Sequence, residues 1–84
     1  MQSSEIKQLI EQGITNSTAR IHTEDNVHFE AIVISDEFVN KSKIQQQRMV
    51  YKSLGNLIET GDVHALHLKT YTQDMWQKTQ QEAQ

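Results

Sequence analysis

The sequence predicts a small α+β domain in which helices pack on one face of a three-stranded mixed sheet. Three observations predict this class. Apolar residues recur at helical spacing in two segments, they follow strand patterns in three others, and polar turn-forming stretches separate the segments. In chain order the predicted elements are helix, strand, strand, helix, strand and helix, which is an αββαβα arrangement.

The first three predicted elements are a helix and a hairpin. Ser4 can cap the helix. Its apolar stripe consists of Ile6, Leu9, Ile10 and Ile14. Strands are predicted over residues 18–23 and about 27–35, with a polar loop between them. Ile32 and Ile34 fall opposite the predicted core face, so they indicate either an apolar patch or a strand covered on both sides.

A long second helix is predicted to begin after Ser42 and to end near Gly61. Its apolar stripe consists of Ile44, Val50, Leu54, Leu57 and Ile58. Gly55 interrupts this pattern and indicates a bend or a close helix contact. In the connection before the helix, residues 36–41, we expect Phe38 to point inward.

Residues 63–72 show the clearest strand pattern and carry two of the four histidines. Successive side chains of a strand alternate between its faces. One face receives His64, Leu66, Leu68 and Thr70, and the other receives Val63, Ala65, His67, Lys69 and Tyr71. The first set is the more apolar and is predicted to face the core. His64 then lies at the entering edge of the strand, and His67 lies on a solvated face.

A short last helix is predicted over about residues 73–80. Thr72 is its expected N-cap, and Met75 and Trp76 are expected to hold it to the body of the domain. From about residue 79 the chain reads as a polar tail.

The composition limits the function. The 84 residues make a single domain, 1–84, that is too small for a deep catalytic cleft. The chain has no cysteine, so a sulfur ligand to any metal must come from a partner. A formal charge of −3 is unlike the basic balance of most nucleic-acid-binding domains. Because neither a signal peptide nor a membrane-length apolar run is present, we expect a soluble cytoplasmic protein.

Catalytic motifs are absent from the sequence. It has no G-x-S-x-G, no phosphate-binding glycine loop and no H-E-x-x-H. We therefore expect a protein that is not an enzyme.

Several stretches resemble signature positions of the BolA family, particularly its small bacterial IbaG-like branch. They are His64-Ala65-Leu66, Lys69-Thr70-Tyr71-Thr72 and Trp76, preceded by His28-Phe29, Phe38, Lys41-Ser42, Arg48, Val50 and Tyr51. The resemblance runs from about Ile6 to Trp76 and implies the BolA fold, which is similar to class II KH domains. The sequence departs from the family at Asn40, where a glycine is usual, and at residues 45–47, where three glutamines replace a more basic segment.

The resemblance also implies a role in iron–sulfur cluster trafficking or maturation. In the BolA family the histidine that matches His64 binds a [2Fe-2S] cluster shared with a monothiol glutaredoxin, which contributes its cysteine and the cysteine of bound glutathione. His28 is the expected second ligand and His22 the runner-up, because family members place a ligand near the loop that these two flank. The residues expected to shape the glutaredoxin surface are Lys69, Thr70 and Tyr71. We expect a monomer alone and a heterodimer with the partner.

Other interpretations stay open. A lone histidine beside a turn is more often structural than a ligand, and exposed strand-end histidines are commonly without a role. His22, His28 and His67 share a sheet face by parity and could bind zinc, although their spacing matches no closed zinc motif.

Nucleic-acid binding, as in a stress-response transcriptional regulator with a KH-like fold, is the alternative function. It would use cations on or near the second helix, without the GXXG loop of KH domains. These cations are Lys41, Lys43, Arg48 and Lys52.

Overall fold

The computed structural model describes residues 3–26, 28–55 and 65–82. The described residues form the α-helices α1 (Ser3–Gly13), α2 (Lys43–Leu54) and α3 (Gln73–Glu82). They also form the strands β1 (Ser17–His22), β2 (His28–Ser35) and β3 (Ala65–Tyr71), with a 3-10 helix at Asp36–Phe38. This order confirms the predicted αββαβα arrangement. Within these ranges, none of the helices has the length and hydrophobicity that crossing a bilayer requires.

The strands form one mixed sheet in the order β1-β2-β3. The hairpin pairs β1 and β2 antiparallel, with His22 opposite Glu30. Strands β2 and β3 pair in parallel, with His28 opposite Ala65. Because parallel strands need a crossover connection, the segment that contains α2 carries the chain from one end of the sheet back to the other.

Helices α1 and α2 cover one face of the sheet and form the core with it. The buried core residues are Ile6, Ile10, Ile14, Ala19, Phe29, Val33, Phe38, Val50 and Leu54. Phe38 is fully buried, as predicted. Leu66 and Leu68 pack against this cluster and Thr70 is buried, which confirms the predicted facing of β3.

Helix α2 begins where predicted but ends earlier. The Ser42 hydroxyl accepts the N–H of Gln45, and the Gln45 side chain accepts the N–H of Ser42, so the two complete a capping box. Gly55 caps the other end with a φ of +46°, a conformation that glycine adopts without strain. The helix therefore ends at Leu54 rather than near Gly61. The remainder of the predicted helix lies outside the described residues.

The buried face of α2 differs from the predicted stripe. Ile44 is 62% exposed, whereas Gln46 is only 5% exposed. The Gln46 amide nitrogen donates to the carbonyl oxygens of Phe38 and Lys41 at 3.1 and 2.9 Å. Its amide oxygen accepts from the Thr70 hydroxyl at 2.7 Å. Because these bonds satisfy the amide, burying it costs little.

The turn before α2 accounts for the departure from the BolA pattern at Asn40. Asn40 has a φ of +66°. Glycine adopts this left-handed region freely, and asparagine tolerates it better than most other residues. Asn40 therefore adopts a backbone conformation to which glycine, the usual residue at this position in the BolA family, is also suited.

Helix α3 lies against the opposite face of the sheet, here called the outer face, which corrects the prediction that all helices share one face. The rings of Trp76 and Tyr71 are 5.4 Å apart between centroids, and the Arg20 guanidinium carbon lies 5.3 Å from the Trp76 ring centre. Arg20 and Tyr71 point away from the core because they alternate with core-facing residues. Ile34 is only 3% exposed, so β2 is covered on both sides. Met75 is 48% exposed, and the prediction that it holds the helix is wrong.

The start of α3 follows its prediction. The N–H of Met75 donates to the Thr72 hydroxyl at 3.2 Å, and the N–H of Trp76 donates to the Thr72 carbonyl at 2.9 Å. Thr72 is thus the N-cap, and it turns the chain from β3 directly into α3.

Candidate metal-ligand site

The described histidines lie at one end of the outer face, where β1 ends and β2 and β3 begin. His22 is opposite Glu30, and Glu30 is opposite His67, so these residues form a row across the sheet. His28 lies two residues before Glu30 on the same face of β2. A shallow depression of about 380 Å³ opens here, lined by these four residues together with Thr23, Glu24, Asp25 and Phe29.

Side-chain hydrogen bonds hold the loop between β1 and β2. The Thr23 hydroxyl donates to the His28 carbonyl at 2.7 Å and accepts the N–H of Asn26 at 3.0 Å. Asn26 has a φ of +61°, which lets the chain reverse within the loop. These contacts fix the backbone position at which His28 begins β2.

Asp25 contacts His28 at two points. Its Oδ1 accepts the backbone N–H of His28 at 2.9 Å, and its Oδ2 lies 2.8 Å from Nδ1 of the imidazole. The His28 side chain is 71% exposed, so the carboxylate, rather than packing, sets the orientation of the ring. With Nδ1 engaged, the ring nitrogen left to act as a ligand is Nε2.

His22 and His67 have a different environment. Nε2 of His22 is 3.9 Å from the Glu24 carboxylate, which is too far for a hydrogen bond, and both side chains are well exposed. His67 is exposed on β3. Within the described ranges, no group of three or more His, Asp or Glu side chains could hold a metal ion. His22, His28 and His67 line the same depression, but the structure does not bring them together as the zinc alternative requires.

His64, the first predicted ligand, lies outside the described residues. The residue that follows it, Ala65, is the register partner of His28 on the neighbouring strand. The predicted second ligand is thus directly opposite the first residue of β3.

The residues predicted to receive a partner divide between surface and interior. Lys69 is exposed on the outer face. Thr70 is 1% exposed, and its hydroxyl is bonded to Gln46. Tyr71 is half-buried against Trp76. Of these three predicted residues, Lys69 has the side chain that a partner can reach most directly.

The cations predicted for nucleic-acid binding lie on α2 and on the turn before it. All four are exposed: Lys41, Lys43, Arg48 and Lys52. Lys43 also has a structural role, because its Nζ donates to the Thr70 carbonyl and lies 4.9 Å from the centre of the Tyr71 ring.

Asp25 is the site residue that sequence reasoning missed. An aspartate in a polar loop readily accepts hydrogen bonds from backbone N–H groups a few residues away. The signal was its position three residues before His28, at the predicted start of a strand. That spacing brings one carboxylate within reach of both the backbone and the ring of the histidine.

The fold and this site define a small α+β domain that presents an oriented histidine at one end of a mixed sheet. A family model described as BolA-like protein matches residues 6–75. The chain therefore belongs to the BolA family, as its resemblance predicted. Proteins of this family are generally regulatory or accessory rather than enzymes.

Individual relatives agree with this assignment. A solved structure of a bolA protein homologue from Coxiella burnetii is 38% identical, with a TM-score of 0.81, over 92% of this chain and 97% of that chain. The acid stress protein IbaG of Escherichia coli (strain K12) is 29% identical over 77 residues, which are 90% of this chain and 89% of the relative. The DNA-binding transcriptional regulator BolA of the same strain is 38% identical over 53 residues, which are 63% of this chain and 50% of the relative.

Proposed function

We propose that this protein is an accessory factor of iron–sulfur cluster trafficking or maturation. It docks on a monothiol glutaredoxin and supplies histidine ligands to a bridging [2Fe-2S] cluster. The glutaredoxin cysteine and its bound glutathione supply the thiolates, since this chain has no cysteine. His64 is the proposed first ligand and His28 the second.

The observation that supports this proposal best is the placement of His28. It begins β2, it contacts Asp25 through Nδ1, and its register partner Ala65 directly follows His64 in the chain. Histidines that bind metals usually donate their other ring N–H to a carboxylate or carbonyl, which is the arrangement seen here. Imidazole also fits the proposed donor set, because Rieske centres hold a [2Fe-2S] cluster with two histidine and two thiolate ligands.

Histidine ligation makes the proposed cluster sensitive to acid. An imidazole must be neutral to bind iron, so a proton competes with the metal for the same nitrogen. As the pH falls, protonation of the histidine ligands therefore releases the proposed cluster. The name of the relative IbaG, an acid stress protein, agrees with this property.

Reconstitution with a glutaredoxin tests the proposal. The purified chain is mixed with iron, sulfide, glutathione and a monothiol glutaredoxin, and the complex is followed by visible absorption and circular dichroism. The wild type should give a spectrum that differs from that of glutaredoxin alone. His64→Ala should abolish this spectrum and His28→Ala should weaken it. His67→Ala is the matched control, since it removes an exposed histidine from the same face.

Each result of this experiment has a defined meaning. A wild-type spectrum identical to that of glutaredoxin alone would refute the shared cluster. An unchanged spectrum in His64→Ala would refute the first ligand. If His22→Ala weakens the cluster and His28→Ala does not, the second ligand is His22.

A second candidate function is DNA binding, favoured by the likeness to the DNA-binding transcriptional regulator BolA. Its cationic surface on and before α2 includes Lys41, Arg48 and Lys52. The charge of −3 opposes such binding, so we expect weak affinity that falls steeply with salt. Replacing these three cations by glutamine should reduce the salt dependence in a DNA titration. Binding that is unaffected by the triple replacement would refute this candidate.

A further inference from the structure

The contact between Asp25 and His28 determines more than the position of the ring. An ionised carboxylate has only acceptor atoms, so the hydrogen in its 2.8 Å contact with Nδ1 must be carried by the imidazole. A neutral imidazole has one hydrogen, and placing it on Nδ1 leaves a lone pair on Nε2. The bond made by one ring nitrogen therefore decides which nitrogen can act as a ligand.

We infer that Asp25 is a positioning residue that holds His28 in its Nδ1–H tautomer and so makes Nε2 the metal-binding nitrogen. This inference rests on the proposed role of His28 as a cluster ligand, and it assigns a role to a side chain that does not itself bind the metal.

The loop is built to hold the carboxylate and the ring together. Besides the ring contact, Asp25 accepts the backbone N–H of His28 at 2.9 Å. Thr23 holds the His28 carbonyl at 2.7 Å. The N–H, the carbonyl and the ring nitrogen Nδ1 of one histidine are thus all bonded within a short loop. The two backbone bonds therefore hold His28 where its ring can reach the carboxylate.

His22 provides the contrast within the same depression. Its nearest carboxylate, Glu24, is 3.9 Å away and 90% exposed, so no hydrogen bond fixes the tautomer through that pair. The structure thus favours His28 over His22 as the preorganised ligand. Preorganisation matters here because both side chains are exposed and would otherwise lose rotational freedom on binding.

Asp25→Asn is the test variant, because it reverses the direction of one hydrogen bond. The amide oxygen can still accept the backbone N–H of His28, so this contact with the main chain is kept. The amide NH₂ then donates to Nδ1, which moves the ring hydrogen to Nε2 and removes the lone pair that a metal needs. Glu24→Gln is the matched control, since it removes the same charge from the adjacent residue beside His22.

The first measurement is made on the protein alone. Nitrogen-15 shifts of the two ring nitrogens of His28, recorded at a pH where the ring is neutral, report the tautomer directly. The wild type and Glu24→Gln should show Nδ1–H, and Asp25→Asn should show Nε2–H. A wild-type ring in the Nε2–H form would overturn the inference, whatever the complex does.

The second measurement uses the reconstituted complex with glutaredoxin. Asp25→Asn should lower the affinity for the cluster by about 10- to 100-fold, the usual effect of losing a partner that orients a metal ligand. Glu24→Gln should leave it unchanged. Full cluster retention in Asp25→Asn, with loss in His28→Ala, would overturn the positioning role and leave the proposed function intact. Full retention in His28→Ala would instead refute His28 as a ligand, while the tautomer result would stand by itself.

Discussion

The Gln46 amide joins three segments that are distant in the chain: the turn before α2, α2 itself and β3. It donates to the Phe38 and Lys41 carbonyls and accepts from the Thr70 hydroxyl. No buried side-chain nitrogen or oxygen in the described ranges lacks a hydrogen-bond partner. This network therefore ties the crossover connection to the strand that follows it.

Thr70→Val should destabilise the fold through this network. Valine keeps the branched shape of threonine but has no hydroxyl, so the Gln46 amide oxygen loses its donor in the interior. An unsatisfied buried polar atom costs about 1–3 kcal/mol, and we expect a loss of that size in the free energy of unfolding. Urea unfolding followed by far-UV circular dichroism measures it.

Thr18→Val provides the control for the threonine replacement. Thr18 is exposed on β1, so the same chemical change there should alter stability by less than about 0.5 kcal/mol. If the two variants lower the free energy of unfolding equally, the buried hydrogen bond between Thr70 and Gln46 is not the cause of the loss.

Helix α1 and strand β1 are joined by side-chain bonds to an exposed sheet edge. Glu11 accepts the backbone N–H of Ala19 at 3.0 Å, and the Lys7 ammonium donates to the Ala19 carbonyl at 3.0 Å. Lys7 and Glu11 also pair with each other at 2.6 Å. The helix thus occupies edge groups that could otherwise pair with another strand.

This arrangement predicts a stability that depends on pH. The hydrogen bond from Lys7, followed by the one from the Ala19 N–H, lowers the pKa of Glu11 below its ordinary value of 4.5. The unfolded state then takes up the proton first as the pH falls. Stability from Glu11 is therefore fully present above 4.5 and is lost as the pH falls through the lower pKa of the folded state.

Glu11→Gln isolates this contribution. At neutral pH the variant should be less stable than the wild type by up to about 1 kcal/mol, because the pair is partly exposed. The difference should shrink as urea unfolding is repeated at pH values stepping down below 4.5. Glu5→Gln removes the same charge from an exposed position of the same helix and serves as the control. A difference that stays constant with pH would contradict the prediction.

The elements that could be predicted from the sequence are those set by local chemistry. Strand alternation correctly placed Leu66 and Leu68 toward the core and His67 toward solvent. The prediction of Ser42 and Thr72 as helix caps is confirmed. A hydroxyl directly before a helix readily accepts a backbone N–H of the first turn, so this role depends on local sequence alone.

The features that could not be predicted depend on contacts between distant segments. Gln46 appears polar in the sequence, and only the nearby Phe38 carbonyl and Thr70 hydroxyl make its burial favourable. The sequence indicated a bend or a close helix contact at Gly55, whereas its positive φ ends the helix. Asp25 was overlooked because its function is visible only from its distance to the His28 ring.

The two ends of the outer face of the sheet have different surroundings. At one end α3 covers it through Trp76, and Ile34 is buried there. At the other end the histidines and Asp25 line an open depression. The apolar pair Ile32 and Ile34 was the sequence signal that both faces are covered. The sequence did not show that the last helix provides the cover.

We therefore predict that α3 can be destabilised without changing the structure of the histidine end. Trp76→Ala removes the contacts with Arg20 and Tyr71, and should cost about 1–3 kcal/mol because the ring is only half-buried. Amide hydrogen exchange should rise across Gln73–Glu82 while the amides of β2 stay protected. Met75→Ala, at an exposed position of the same helix, should change neither quantity. If the variant exchanges faster throughout the sheet, the two ends of the face are coupled and this prediction is wrong.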